Sequence, residues 1–129
     1  MNGKRFFERL AVKNVPCNLY LPESDSEISG EVHDISENGI AIKVSNEDAK
    51  KIQKNSDENL KFVFLDDYKY LDSDVNDVVM GKVSVKHTSS VDGEYALIGG
   101  KVTDDIPEYE KYVLRRKTSH FLNSSNIMS

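Results

Sequence analysis

The stretch EISGEVHDISENGIAIKVS, residues 27–45, decides the fold of this chain. Residues 28–35 indicate one β-strand, and residues 39–45 place apolar side chains at every second position, which is typical of a strand buried on one face. The segment SEN between them is short, and Gly39 directly after it is expected to supply the positive φ that a tight turn requires. We therefore predict that the two strands form an antiparallel hairpin.

Alternating segments also occur on both sides of this hairpin. Residues 15–21, 60–64 and 79–85 each carry apolar or small side chains at every second position, and EYALIGGKV at 94–102 indicates a further strand. The polar segment DSDVND at 72–77 is expected to be a loop. About six strands at this spacing favour closure, because closure removes exposed strand edges. The predicted fold class is mainly β, a small six-stranded antiparallel β-barrel with a C-terminal α-helix.

Helical signals appear at two places. Ser45 or Asn46 is suited to cap a short helix over residues 47–54. The apolar period changes near the C-terminus, where Asp105 is suited to cap a second helix over residues 105–122.

The C-terminal helix has a partial apolar stripe, which predicts that it packs against the barrel or its mouth. The stripe consists of Ile106, Tyr109, Val113 and, further along, Phe121. The basic run Arg-Arg-Lys at 115–117 is most simply explained by the helix dipole and solvation, with docking of a partner as the alternative. Residues 123–129 are expected to be a disordered tail.

The length and composition are those of one soluble domain. With 129 residues, of which 38% are hydrophobic and 30% charged, the chain can bury a single core. No apolar run approaches the roughly 20 residues that span a bilayer, and the first residues lack the features of a signal peptide. We therefore expect a cytoplasmic protein without direct membrane insertion. The expected layout is a single domain over 1–122, with a basic arm at 4–13, the barrel at 14–104 and the helix at 105–122.

Few residues have the spacing that catalysis or metal binding requires. Cys17 is the only cysteine, which excludes an internal disulfide and a Cys-based zinc site, and its apolar neighbours indicate a small core residue. The three histidines show no metal-ligand spacing. The acidic pairs Asp66-Asp67 and Asp72/Asp74 are expected to be solvated. Since no nucleophile–base arrangement is visible either, we expect no enzymatic activity, no metal and no cofactor.

Charge is distributed unevenly along the chain. The formal net charge of −5 argues against binding to long nucleic acid, which needs a broad basic face. The first 13 residues nevertheless carry a local charge of +3, and a small anionic ligand needs only such a local patch. The charged residues of this segment are Lys4, Arg5, Arg9 and Lys13, with Glu8 as the single acid.

Two short motifs carry the candidate chemistry. Arg5 and Arg9 form an R-x-x-x-R. Asp34, Ser36 and Gly39 form a D-x-S-x-x-G on the predicted hairpin, and 24 residues lie between Arg9 and Asp34. The first motif alone is nearly uninformative. Together, in this order and on a barrel pattern, the two resemble the signature of the PilZ domain family.

The resemblance extends over about residues 4–120. Gly81 and the Gly99-Gly100 pair lie in later strands where PilZ domains often have glycine. Similarity to this family implies a bacterial receptor for the second messenger cyclic di-GMP, which passes its signal to an unidentified partner protein or fused domain. The ligand-binding residues that the resemblance implies are Arg5, Arg9, Asp34, Ser36 and Gly39, with Lys4 as a further candidate.

The chemistry of these residue types agrees with such a ligand. Arginine presents a donor fork that pairs with phosphate oxygens and with the O6/N7 edge of guanine. A carboxylate at Asp34 accepts from guanine N1–H and N2–H₂, and Ser36, two residues further, is expected on the same strand face. Gly39 would permit close approach of the backbone to the ligand. Arg5 and Arg9 lie on an N-terminal arm that is expected to order on binding.

One departure from the family pattern leaves the stoichiometry open. Many PilZ domains have an additional arginine directly before the R-x-x-x-R, where this chain has Lys4. Lysine keeps the charge but lacks the planar fork, so either one ligand molecule or an intercalated pair is compatible with the sequence.

Other functions compete with this hypothesis. The chain is alternatively a degenerate PilZ-like module that binds proteins and no nucleotide. An oligonucleotide-binding barrel would need exposed aromatic residues and a basic groove, and neither is evident. Taken singly, each motif also fits a structural role, as solvated arginines or as an Asp/Ser turn.

Overall fold

The computed structural model describes residues 9–22, 26–54, 59–104 and 106–128 of the chain. Seven strands and two helices lie in these ranges. Neither helix is long and apolar enough to cross a bilayer. The elements are β1 (Leu10–Ala11), β2 (Pro16–Tyr20), β3 (Glu27–Ser36), β4 (Gly39–Ser45), α1 (Asn46–Lys54), β5 (Asn59–Tyr70), β6 (Ser73–Ser90), β7 (Tyr95–Val102) and α2 (Ile106–Met128).

Six of the strands close into a ring. Neighbouring strands follow the order β3, β2, β5, β6, β7 and β4, and the pairing of β4 with β3 closes the sheet. All of these pairings are antiparallel. The two-residue strand β1 pairs with β3 beyond the end of β2. The predicted fold class, a six-stranded antiparallel closed sheet with a C-terminal helix, is confirmed.

The hydrophobic core lies inside the ring, because alternate residues of each strand point inward. Leu19, Ile40 and Phe62 are completely buried. Burying each such side chain contributes about 1.5–3 kcal/mol to folding. Cys17 lies in the same core, and burial raises the pKa of its thiol to about 12. Its prediction as a core residue is confirmed.

Helix α1 begins where the sequence predicts it. The hydroxyl oxygen of Ser45 accepts a hydrogen bond from the backbone N–H of Asp48 at 3.1 Å, so Ser45 is the N-cap. The helix buries Ala49 and Ile52 against the sheet. Helix α1 follows β4 directly, without an intervening loop.

The β3–β4 connection differs from the prediction in its backbone. Strand β3 ends at Ser36 and β4 begins at Gly39, so Glu37 and Asn38 form the link. Among the described residues no glycine has a positive φ, and the prediction that Gly39 supplies one is wrong. The hairpin itself is confirmed, with Ser36 paired to Gly39.

The β5–β6 hairpin is longer than the sequence indicates. Residues 73–77, predicted as a loop, belong to β6, and Tyr70 pairs with Ser73. Leu71 and Asp72 form the turn, with Leu71 at a φ of 57°. Because leucine rarely adopts a positive φ, nothing in the composition marks this position as a turn.

Helix α2 packs against the core with a face that differs from the predicted stripe. Tyr109, Tyr112 and Val113 are buried, whereas Phe121 is 69% exposed and Ile106 also remains accessible. The helix continues to Met128, although its end was predicted at 122 and a disordered tail at 123–129. No glycine or proline follows Pro107 in the sequence to stop the helix earlier. The predicted N-cap, Asp105, lies outside the described residues.

Candidate functional site

A β-bulge in β3 shapes the candidate site. Val32 pairs with Ile42 and Asp34 pairs with Ala41, so His33 is an extra residue between two regular pairs. A bulge interrupts the strict alternation of a strand and redirects the side chains beside it. His33 and Asp34 consequently both lie on the outer face of the ring, which is the side away from the core, while Ile35 points inward.

Arg9 and Asp34 meet on this outer face. The guanidinium of Arg9 donates to Oδ1 of Asp34 at 2.6 Å, across the short β1–β3 pairing. The Arg9 side chain is 46% exposed and that of Asp34 is 15% exposed. The structure thus brings together the second arginine of R-x-x-x-R and the acid of D-x-S-x-x-G, at a place that water reaches.

The second carboxylate oxygen of Asp34 also has a partner. Nδ1 of His33 lies 2.9 Å from Oδ2 of Asp34, and the imidazole is half exposed. Asp34 therefore lies between a permanent cation and a histidine. Sequence reasoning missed this role of His33, because period-two alternation places adjacent residues on opposite faces and the bulge cannot be seen in the sequence.

Gly39 supplies space rather than an unusual backbone angle. A Cβ atom on Gly39 would lie 3.2 Å from Oγ of Ser36, 3.2 Å from the carbonyl oxygen of Gly100 and 3.9 Å from Nη2 of Arg9. A side chain at this position would therefore require the Ser36 hydroxyl and the Gly100 carbonyl to shift by a few tenths of an ångström. Ser36 is only 4% exposed and directs its hydroxyl toward this space.

Helix α2 is attached to the same hairpin by two contacts. The Tyr109 hydroxyl donates to the backbone carbonyl of Gly39 at 2.6 Å, and the Lys117 ammonium lies 2.6 Å from Oε1 of Glu37. Burial, and then the nearby Asp34 carboxylate, raises the pKa of Tyr109 above its usual range. Tyr109 therefore remains a neutral donor, and the motif hairpin and the helix are held as one unit.

The structure places the predicted site residues as follows. Arg9, Asp34, Ser36 and Gly39 lie together on the outer face around the β3–β4 hairpin. Arg5 and Lys4 lie outside the described residues. Within the ranges that the structure describes, no group of three or more His, Cys, Asp or Glu side chains is arranged to hold a metal ion.

A second polar cluster, which we name the helix clamp, corrects two predictions. Asp66 is 2% exposed rather than solvated, and it accepts from Arg116 at 2.6 Å and from the Tyr112 hydroxyl at 2.7 Å. Arg115 donates to Asp77 at 3.2 Å. Each residue of the basic run 115–117 is therefore paired with an acid, and Arg115 is the most exposed of the three, at 44%. The clamp comprises Asp66, Asp77, Tyr112, Arg115 and Arg116.

Comparison with solved structures finds the same fold in proteins with low sequence identity. The PlzA protein of Borreliella burgdorferi, solved in complex with c-di-GMP, superimposes with a TM-score of 0.60 and 13% identity over 98% of this chain and 55% of that chain. The K. pneumoniae MrkH–c-di-GMP complex gives a TM-score of 0.61 and 12% identity, covering 93% of this chain and 53% of MrkH.

A third similar structure is the inhibitor of motility MotI/DgrA of Bacillus subtilis. Its TM-score is 0.59 with 16% identity, over 86% of this chain and 50% of that chain. The chain thus spans about half the length of each of these solved proteins. Comparison with curated protein sequences gave no match.

The family assignment rests on the sequence as well as on the fold. The family model of the PilZ domain matches residues 3–118, which includes both motifs and the entire closed sheet. This match covers far more than half of the chain, and the solved structures have a similar fold. The chain belongs to the PilZ domain family.

Proposed function

We propose that this protein is a cyclic di-GMP-binding sensor without catalytic activity of its own. The observation that carries this proposal is the 2.6 Å contact of Arg9 with Asp34 on the outer face of the motif hairpin, beside the space left by Gly39. Two of the similar structures contain c-di-GMP, which supports the choice of ligand. The ligand-binding residues proposed are Arg5, Arg9, Asp34, Ser36 and Gly39, with Lys4 as a further candidate.

Ligand binding would proceed by exchange of partners. A phosphodiester of the ligand attracts the Arg9 guanidinium, because arginine pairs with phosphate through two parallel hydrogen bonds. Withdrawal of Arg9 frees Oδ1 of Asp34, which then accepts from N1–H and N2–H₂ of a guanine. One ion pair within the protein is thus replaced by two charge-assisted contacts with the ligand. Arg5, on the same N-terminal arm, would add a second donor fork.

The signal would pass through the hairpin to helix α2. Ordering of the N-terminal arm on the outer face changes the surroundings of Glu37 and Gly39, and both residues are bonded to the helix through Lys117 and Tyr109. A partner protein or a fused domain would then recognise the changed surface. The effect is a population shift, limited by the difference in ligand affinity between the two arm conformations.

Calorimetric titration with cyclic di-GMP tests the proposal, with GTP and cyclic di-AMP as controls. We expect saturable heat with cyclic di-GMP only, and the molar ratio reports whether Lys4 supports one ligand or an intercalated pair. A folded protein that gives no heat and no signal in a second binding assay would instead be a degenerate module that binds proteins and no nucleotide.

Variants locate the binding residues. Asp34→Ala and Arg9→Ala should each lower the affinity at least 100-fold, because each removes a charge-assisted contact worth several kcal/mol with its desolvation cost. Asp74→Ala is the matched control, since Asp74 is an exposed acid on the distant β5–β6 hairpin. Unchanged affinity in both site variants, with wild-type binding intact, would refute these residue roles.

A further inference from the structure

We propose that His87 and Lys101 form a far rim of the same site, on the side opposite to Arg9, and bind the second guanine and the second phosphate of the ligand. This inference rests on the proposed function. It assigns two residues that neither motif contains.

The strand register brings His87 into line with Asp34. Asp34 pairs with Ala41, Ala41 pairs with Gly99, and Gly99 pairs with His87. These four residues form one row across β3, β4, β7 and β6. Neighbouring strands are about 4.8 Å apart, so Asp34 and Gly99 are separated by roughly 10 Å.

The position of the His87 imidazole shows which face of the sheet it occupies. A Cβ atom on Gly99 would point to the outer face and would lie 2.8 Å from Cε1 of the His87 imidazole. The imidazole therefore lies directly over the backbone of Gly99. A second bulge, between Val85 and His87, sets this orientation, so the sequence alternation alone does not predict it.

Small residues separate the two rims. Between Asp34 and His87 the row contains only Ala41 and Gly99, and Gly39 lies in the adjacent row. The His87 imidazole covers Gly99, so the methyl group of Ala41 lines the space between that imidazole and Asp34. A purine ring can approach the sheet here, with Asp34 at one end and the imidazole of His87 at the other.

Lys101 adds a cation to the far rim. It pairs with Gly39 in the adjacent row, its side chain is on the outer face, and it is exposed. None of the ion pairs found in the described ranges involves Lys101. Two cations, Arg9 and Lys101, therefore flank Gly39 on opposite sides, matching a ligand with two phosphates.

The two residues would contribute in different ways. An imidazole stacks on a purine, an interaction that depends on ring area and tolerates exchange for another aromatic ring. A lysine ammonium attracts a phosphate as a point charge, an interaction that weakens with added salt. These differences make the two contributions separable by experiment.

Titration of the full chain with cyclic di-GMP tests the far rim. His87→Ala should weaken binding about tenfold and His87→Phe should restore most of the affinity, as expected for stacking. Lys101→Ala should also weaken binding about tenfold, and the slope of log K against log salt should fall by about one. The matched controls are His120→Ala on α2 and Lys82→Ala on β6, both exposed outside the row.

The outcomes separate this inference from the proposed function. No binding by the wild type overturns both. Wild-type binding that is lost in Asp34→Ala but unchanged in His87→Ala and Lys101→Ala overturns the far rim alone. Tighter binding by His87→Ala also overturns it, because the imidazole would then obstruct the ligand instead of contacting it. An unfolding temperature equal to that of the wild type confirms that each variant remains folded.

Discussion

Two salt bridges of identical length hold two different parts of this molecule. Arg9 and Asp34 at the candidate site are 2.6 Å apart, as are Arg116 and Asp66 in the helix clamp. The exposed fractions of the side chains are 46% and 15% in the first pair, but 16% and 2% in the second. Distance alone therefore does not distinguish a contact that a ligand can replace from one that fixes the fold.

The surroundings decide what each pair can do. When an exposed pair separates, water solvates both charges, and the net cost is about 0–1 kcal/mol. When one partner of a buried pair is lost, the remaining charge has no solvent, and the cost is about 3–5 kcal/mol. Exchange with a ligand is thus feasible at Arg9 and Asp34, whereas Arg116 and Asp66 hold helix α2 in place.

The largest expected effect is the removal of the buried acid. Asp66→Ala leaves the Arg116 guanidinium and the Tyr112 hydroxyl without their acceptor, and should lower the free energy of unfolding by about 3–5 kcal/mol. Urea denaturation followed by circular dichroism measures this change. The prediction concerns stability and does not depend on any ligand.

The neighbouring acid provides the control for this variant. Asp67 points to the exposed face of the same strand, so Asp67→Ala should change the free energy of unfolding by no more than about 0.5 kcal/mol. If Asp66→Ala lowers the free energy of unfolding by less than about 1 kcal/mol, the buried pair stabilises the fold no more than a surface pair does, and burial does not distinguish the two salt bridges.

Alkaline pH provides a second measure of the clamp. Burial, and then the Asp66 carboxylate, raises the pKa of Tyr112 above its ordinary value of 10.0. Below pH 10 the hydroxyl is protonated in the folded and unfolded states, and this group adds no pH dependence. Above pH 10 the unfolded state loses the proton first, so stability falls by about 1.4 kcal/mol per pH unit for this one group.

Tyr112→Phe isolates this contribution. The variant should lose about 1 kcal/mol at neutral pH, where its hydrogen bond to Asp66 is missing, and should fall less steeply than the wild type above pH 10. Tyr68 and Tyr109, whose pKa values are also raised, are present in both proteins, so their contributions cancel in the difference. Parallel curves for the two proteins would show that Tyr112 ionises as easily in the folded state as in the unfolded chain.

The sequence predicted the closed sheet because alternation is a local property. Each strand of the ring contains a stretch with apolar or small residues at every second position, and the β3–β4 hairpin and the cap at Ser45 are both found in the structure. The two motifs could also be identified, because their residues are fixed by spacing along one chain. Arg9, Asp34, Ser36 and Gly39 do lie together.

Contacts between distant segments could not be predicted in this way. Asp66 looks like one of several acids in a polar stretch, and only the position of α2 places Arg116 and Tyr112 over it. The bulge at His33 is equally hidden, because an extra residue changes the face of a side chain without changing its chemistry. Burial of a charge depends on tertiary packing, which no local pattern contains.

The smallest expected effect on stability lies at the candidate site itself. Arg9→Ala, Asp34→Ala and the double variant form a thermodynamic cycle, and the coupling between the two residues should be about 0.2–1 kcal/mol despite their 2.6 Å contact. The same cycle for Arg116 and Asp66 should give a coupling several times larger. A value above about 2 kcal/mol for Arg9 and Asp34 would mean that this pair stabilises the fold as the clamp does. A ligand would then have to overcome that energy before binding, and the exchange proposed for cyclic di-GMP would require Arg5 or another group to supply it.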